Sequence, residues 1–205
     1  MRDVPWDQRL ARMLVRPLAR TRVSPNHLTT VGLITGLAAA GLYAWGDKGA
    51  ADWAAVLFVL ASFMDHADGE LARLSGKTSQ FGYYYDQACG AITYTALFAG
   101  IGLGLRDSAL GWWALPLGVV DGIAVSLIFT LRFEIERRRG WKRLGQPGFA
   151  GFEVEDIMYL VGPVTWLGWL LPFLVVASVG APAFALWTLW QMRKGVAPEG
   201  EAGGL

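Results

Sequence analysis

The chain has 205 residues, 54% hydrophobic and 17% charged, with 26 glycines, ten tryptophans and a formal net charge of +1. A soluble domain carries roughly a quarter charged residues, so an ordinary soluble fold is excluded, and the near-neutral balance leaves no electrostatic footprint for a nucleic-acid partner. One cysteine, Cys89, rules out an internal disulfide framework or a cysteine-based zinc cluster and reads as a packing residue in an apolar helix.

The first 25 residues are laced with arginine and lack the apolar core of a signal peptide. Trp6, Leu10, Met13, Leu14 and Leu18 recur at helical spacing, while Arg9, Arg12, Arg16 and Arg20 fall on another face. Residues 1–25 therefore predict an amphipathic juxtamembrane helix on an anionic leaflet, bent or ended early by Pro17. Six apolar segments follow, at 27–45, 50–72, 80–104, 110–133, 154–169 and 171–191. Six helices of about 20 residues use about 120 positions, so residues 26–194 predict an all-α integral membrane domain of six transmembrane helices. Gly162, Pro163, Gly168, Pro172, Gly180 and Pro182 interrupt the last two, which is tolerated where neighbouring helices satisfy the freed backbone groups. The Gly/Glu-rich stretch at 195–205 predicts a disordered tail.

Sixteen of the 18 basic residues fall before the first segment, between the second and third, after the fourth and after the sixth, leaving only Lys48 and Arg106 for the other side. The positive-inside rule then puts both termini in the cytoplasm, which requires an even number of spans. Tryptophans 112, 113, 166, 169, 187 and 190 lie near segment ends, as interfacial anchors do.

Asp65, Asp68 and Asp86 sit in or beside these apolar segments, where a charge costs at least about 2.5–3.5 kcal/mol at the helix centre. Asp65, Asp68, Gly69, Ala72 and Arg73 share one arc of about 140° on a helix. On the next helix Gly82, Asp86 and Gly90 form a stripe at i, i+4 and i+8. Two such faces, joined by a short loop, can oppose each other across an antiparallel pair, and oxygen-only ligands suit hard divalent ions. Simple pairing of the acids with Arg73 and Lys77 at the membrane surface is the alternative.

Asp65-His66-Ala67-Asp68-Gly69-Glu70-Leu71-Ala72-Arg73, eight residues, Gly82, three residues and Asp86 resembles the signature of the CDP-alcohol phosphotransferase family. That signature is Asp-x-x-Asp-Gly-x-x-Ala-Arg, eight residues, Gly-x-x-x-Asp-x-x-x-Asp. Ser24-Pro25-Asn26-His27-Leu28-Thr29 resembles the Pro-Asn-x-x-Thr segment that opens the family's first span. The resemblance implies transfer of a substituted phosphate from a CDP-linked donor, commonly CDP-diacylglycerol, to an alcohol, with release of CMP. It implies two divalent ions, magnesium or manganese, on Asp65, Asp68 and Asp86. Gly69, Ala72 and Gly82 would let the nucleotide lie against the helices, with Arg73, Asn26 and Thr29 binding it. A homodimer in a bacterial inner membrane, with its active site at the cytoplasmic face, is the family expectation.

One position departs. Gly90 stands where the family has its fourth aspartate, the general base on the acceptor hydroxyl. Glycine cannot take a proton, so slow or absent turnover is expected. An introduced Asp→Gly change, a natural loss of catalysis, or a base from elsewhere would each account for it; His66 is the nearest titratable side chain.

Asp121 lies midway along the fourth segment, either lining the acceptor cavity or held as a structural acid. Arg132, Arg137, Arg138 and Arg139 at its end would clamp a phosphorylated acceptor or cap the span against lipid headgroups. Glu153, Glu155 and Asp156 open the fifth segment, where acids suit a helix N-terminus or an acceptor with hydroxyl or cationic groups. A divalent-metal transporter and a non-catalytic CDP-lipid-binding protein are the competing readings; a transporter would place its acids near the bilayer midplane.

Overall fold

The structure, a computed structural model, describes residues 6–138 and 155–193, with side chains over 9–135 and 158–193. Seven α-helices are present among them: α1 Trp6–Val15, α2 Pro25–Trp45, α3 Lys48–Ser75, α4 Gln80–Gly104, α5 Ala114–Arg138, α6 Val161–Trp166 and α7 Leu170–Arg193. Short 3-10 helices cover Leu18–Arg20, Gly111–Trp113 and Glu155–Leu160. No strand occurs among the described residues.

Local chemistry fixes the ends. Pro17 stands two residues past Val15, the last residue of α1, and Pro25 starts α2, its missing N–H harmless at the first turn. Asp47 caps α3 by accepting the Ala50 N–H at 3.0 Å, and Ser79 caps α4 by accepting the Gly82 N–H at 2.9 Å. Gly46 and Gly76, at φ +84° and +66°, supply the left-handed residues that stop α2 and α3.

Among the described residues, four stretches are long and apolar enough to cross a membrane: Pro25–Trp45, Lys48–Ser75, Gly111–Ile135 and Leu170–Arg193. These stretches have the length and hydropathy of an integral membrane protein. Among the described residues, length and hydropathy support four of the six expected spans. α4 is 25 residues long, but Gln80, Tyr83, Tyr84, Tyr85, Asp86 and Gln87 make its first turns polar. The fifth segment is not one helix: the 3-10 helix ends at Leu160, α6 runs only six residues, and Gly168 at φ +73° turns the chain into α7. Pro163 cannot donate to the Tyr159 carbonyl, so the α-helical ladder is broken where the two short helices meet.

The helices approach closely through glycine. A Cβ on Gly100 or Gly104 of α4 would stand 2.3 or 2.1 Å from the Ala40 or Tyr43 carbonyl oxygen of α2. One on Gly118 of α5 would stand 2.2 Å from the Phe98 carbonyl oxygen, and one on Gly122 would stand 2.6 Å from Thr95 Cα. These are small-x-x-x-small contacts, and they account for much of the glycine excess. Phe58, Leu97, Phe98 and Ile101 fill the core between them, with Tyr43 and Thr165 joined hydroxyl to hydroxyl at 2.7 Å.

The opposite end gathers the motif residues. Ala11 and Val15 of α1 pack on Ala67 and Leu71 of α3. Lys77, in the loop between α3 and α4, donates to the Thr21 and Val23 carbonyls at 2.9 and 3.0 Å, holding the approach to α2 against that loop.

Candidate active site

A cavity of about 220 Å3 opens between the motif helices α3 and α4, the end of α5 and the Met158–Tyr159 turn. Of the residues singled out from sequence, Asp65, Gly69, Arg73, Asp86, Gly90 and Arg132 line it. Asp65 is exposed, Asp86 is half-buried and Arg132 is buried. Carboxylates from one helix pair and guanidinium groups from α3 and α5 thus share one chamber.

Asp68 is buried and does not line this chamber. Thr29 Oγ1 of α2 donates to its Oδ2 at 2.5 Å. It remains within electrostatic reach of both Asp65 and Asp86. Thr29 also borders a recess of about 20 Å3 that reaches Ser62, Asp65, Cys89 and Gly90. Ser62 Oγ, which sequence reasoning passed over, is buried there without a hydrogen-bond partner among the described residues.

Gly90 stands apart from the packed glycines. A Cβ added there would meet only Tyr94 Cε2, at 3.9 Å. No neighbouring helix requires glycine at this position, and a longer side chain would project into open space at the cavity wall.

Gly82 and Gly69 have neighbours other than the nucleotide that the motif resemblance implied. Asn26 Oδ1 and Ser79 Oγ each lie 3.1 Å from where a Gly82 Cβ would be, so α2 occupies that space. The Arg73 guanidinium covers Gly69 at 3.5 Å. Ala72, Gly82 and Asn26 do not line the chamber. Arg73 is itself held by a residue the motif reading left out: buried Glu70 accepts its Nη2 at 2.7 Å and Nε at 3.2 Å. Glu70 lies at i−3 from Arg73, a spacing that could have signalled the pair.

His66 faces the chamber and its Nδ1 is 3.0 Å from the Tyr159 hydroxyl, closing the wall between α3 and the 3-10 helix. Asp121 takes no part in the chamber. It is fully buried, and Ser178 Oγ of α7 donates to its Oδ2 at 3.1 Å, the surroundings of a structural acid. Arg139 and Glu153 lie outside the described residues, as do the side chains of Arg137, Arg138, Glu155 and Asp156.

The donor atoms are of the kind that a hard divalent cation takes. Asp86 Oδ1 is buried with no hydrogen-bond partner among the described residues, and a buried carboxylate oxygen lacking a proton donor calls for a cation. The nearby acids supply oxygen only, as magnesium and manganese prefer. Among the described residues no three His, Cys, Asp or Glu side chains converge tightly enough to hold an ion. Asp68, committed to Thr29, is the acid outside the chamber.

Comparison with known proteins identifies the class. The CDP-alcohol phosphatidyltransferase family matches residues 22–187, and the chain belongs to that family. It is 32% identical over 141 residues to the phosphatidylinositol phosphate synthase of Corynebacterium glutamicum, covering 63% of this chain and 58% of that protein, so the match spans less than two thirds of the relative. To the Streptomyces avermitilis protein of the same name it is 33% identical over 167 residues, covering 73% and 68%. The crystal structure of Mycobacterium tuberculosis phosphatidylinositol phosphate synthase with CDP-DAG bound shares the fold at a TM-score of 0.58 and 21% identity, covering 91% of both chains. The same protein in complex with manganese and citrate gives 0.57 at 22%, covering 92% and 86%.

Proposed function

We propose that this chain is a metal-dependent phosphatidyl transferase at the cytoplasmic face of a bacterial inner membrane, moving the phosphatidyl group of CDP-diacylglycerol to a phosphorylated polyol and releasing CMP. One observation carries the reading: Asp65 and Asp86 share a single chamber with Arg73 and Arg132. An acidic wall suits cations on a pyrophosphate, and two guanidinium groups suit two phosphates. The relatives' name, phosphatidylinositol phosphate synthase, supports inositol phosphate as the acceptor.

In the reaction the acceptor hydroxyl oxygen bonds to the phosphatidyl phosphorus. The bond from that phosphorus to the bridging oxygen breaks, CMP leaves with the electron pair, and the hydroxyl proton must pass to a base. Divalent ions on Asp65, Asp68 and Asp86, two in the family expectation, would neutralise the pyrophosphate and stabilise the departing CMP. Arg73, oriented by Glu70, meets a donor phosphate, and Arg132 meets the phosphate of the acceptor through its planar fork. Asn26 and Thr29, at the start of α2, act from behind the chamber wall, Thr29 through its bond to Asp68 and Asn26 against Gly82. A homodimer embedded among membrane lipids belongs to the same proposal.

Gly90 leaves the proton without its usual acceptor, a loss worth about 10²–10⁴ in rate. A second reading, a CDP-lipid-binding protein without turnover, is favoured by this residue alone. The test is CMP release by Gly90→Asp with magnesium or manganese across a panel of acceptors, beside the melting temperature with CDP-diacylglycerol. Release that rises with inositol phosphate supports the transferase. A melting shift without any rise supports the second reading, and neither response overturns both.

A further inference from the structure

The short α1 helix makes three different kinds of surface. With Arg9 as zero and about 100° per residue, Ala11 and Val15 fall at about 200–240°, Arg12 and Arg16 at about 300–340°, and Met13, Leu10 and Leu14 at about 40–140°. The first arc is buried: Ala11 and Val15 pack on Ala67 and Leu71 of α3. The second arc is exposed and basic, and exposed Arg20 and Arg22 extend it past Pro17. The third is exposed and apolar, with Leu10 42%, Met13 71% and Leu14 57% accessible.

An exposed apolar arc flanked by arginines matches the boundary of an anionic bilayer, the apolar side chains entering the acyl region and the guanidinium groups meeting headgroup phosphates. The charge excludes an apolar protein groove as the better fit. What makes the placement consequential is the buried arc. Ala67 and Leu71 form the back of the α3 turns whose front carries Asp65, Gly69 and Arg73. Ala67 is the immediate neighbour of Asp68, and Leu71 lies one turn on.

We propose that α1 is a docking surface for anionic phospholipid that braces the motif helix from behind, so that the lipid composition of the leaflet sets the order of α3 at the chamber. Docked, α1 holds Ala67 and Leu71 in place and the motif turns stay ordered. Released, α1 no longer buttresses them. The link to catalysis rests on the transferase reading above, but the lipid response and its transmission to α3 do not.

The experiment is hydrogen–deuterium exchange on the full chain in nanodiscs of phosphatidylcholine alone and of equimolar phosphatidylcholine and phosphatidylglycerol. Residues 9–16 and 63–75 are followed together. Exchange in both segments slows by about tenfold in the anionic discs, and high salt removes the difference. The triple variant Arg12→Gln, Arg16→Gln, Arg20→Gln abolishes the response in both segments while matching the parent in phosphatidylcholine. Equal exchange in the two lipids overturns the proposal, as does protection of 9–16 with 63–75 unchanged. Protection that follows the number of protein copies per disc, instead of phosphatidylglycerol content, assigns α1 to a contact between copies and also overturns it. Because no turnover is measured, failure of the transferase reading would leave this result standing.

Discussion

Thr29 Oγ1 donates to Asp68 Oδ2 at 2.5 Å, tying the start of α2 to the second acid of the motif on α3. Both groups are buried. Thr29→Val keeps the shape and removes the donor, leaving a buried carboxylate oxygen unsatisfied, at a loss of about 1–3 kcal/mol. Thr29→Ser keeps the bond and most of the stability. Thermal melting of the two variants in one detergent measures the difference, and equal melting would show that the bond contributes nothing.

The helical glycines divide into two kinds that substitution separates. At Gly100 and Gly118 a Cβ would lie 2.3 and 2.2 Å from a backbone carbonyl oxygen, so alanine must push α4 off α2 or α5 off α4. Overpacking of this kind costs about 1–3 kcal/mol or more. At Gly90 the nearest atom is 3.9 Å away, and alanine stabilises by about 0.5–1 kcal/mol through helix propensity alone. Melting temperatures of the three alanine variants should therefore move in opposite directions. A loss at Gly90 matching that at Gly100 would show that Gly90 is a packing residue after all.

The same contrast marks what was legible in the sequence. The acids at 65, 68 and 86 could be read because a carboxylate in an apolar segment is anomalous on energetic grounds alone, and their spacing put them on facing helix faces. The structure brings Asp65 and Asp86 to one chamber, with Asp68 engaged just behind it. The pairs Gly100/Gly104 and Gly118/Gly122 were visible as i, i+4 glycines, yet which carbonyl each admits depends on the crossing of two helices, which no single segment encodes. Apolar content likewise supported one span at 154–169. The break there follows from the missing Pro163 donor and the Gly168 turn, local effects that an apolar average conceals. Tyr159 was invisible because its partner, His66, is 93 residues away.

Metal removal should act through Asp86. Among the described residues its Oδ1 is buried without a partner, so the ion-free fold carries an unsatisfied buried acid. Asp86→Asn removes that acid, and the ion-free protein melts at the same temperature or higher. The parent gains about 2.7 kcal/mol when magnesium or manganese reaches a hundredfold above its dissociation constant, and Asp86→Asn loses this gain. A variant that still melts higher with added metal would exclude Asp86 as a ligand.

Glu70 is a positioning residue. It is buried and accepts two hydrogen bonds from Arg73, whose guanidinium then lies over Gly69 at the chamber wall. Glu70→Gln weakens that hold and lets Arg73 swing into solvent. In the Gly90→Asp background, KM for the CDP-linked donor should rise about twofold to fivefold, the range of a partly exposed ion pair, with kcat nearly constant. Arg73→Lys should reproduce the rise, since a point charge cannot restore the fork. A fall in kcat with constant KM would place Glu70 in the chemical step instead.

Asp121 separates structure from chemistry. Ser178 has one hydroxyl proton and two acceptors in reach, the Leu174 carbonyl at 2.8 Å and Asp121 Oδ2 at 3.1 Å. Ser178 shares that proton between the two acceptors as a three-centre bond. Asparagine keeps an acceptor oxygen for Ser178 Oγ, so Asp121→Asn should melt within about 0.5 kcal/mol of the parent, as a substitution that keeps the hydrogen-bond network intact. Asp121→Ala removes the partner from α7 and leaves a void between α5 and α7, at about 1–3 kcal/mol. Since Asp121 does not line the chamber, CMP release in the Gly90→Asp background should be the same with Asp or Asn at 121. Loss of CMP release in Asp121→Asn with unchanged melting would return this residue to the acceptor site.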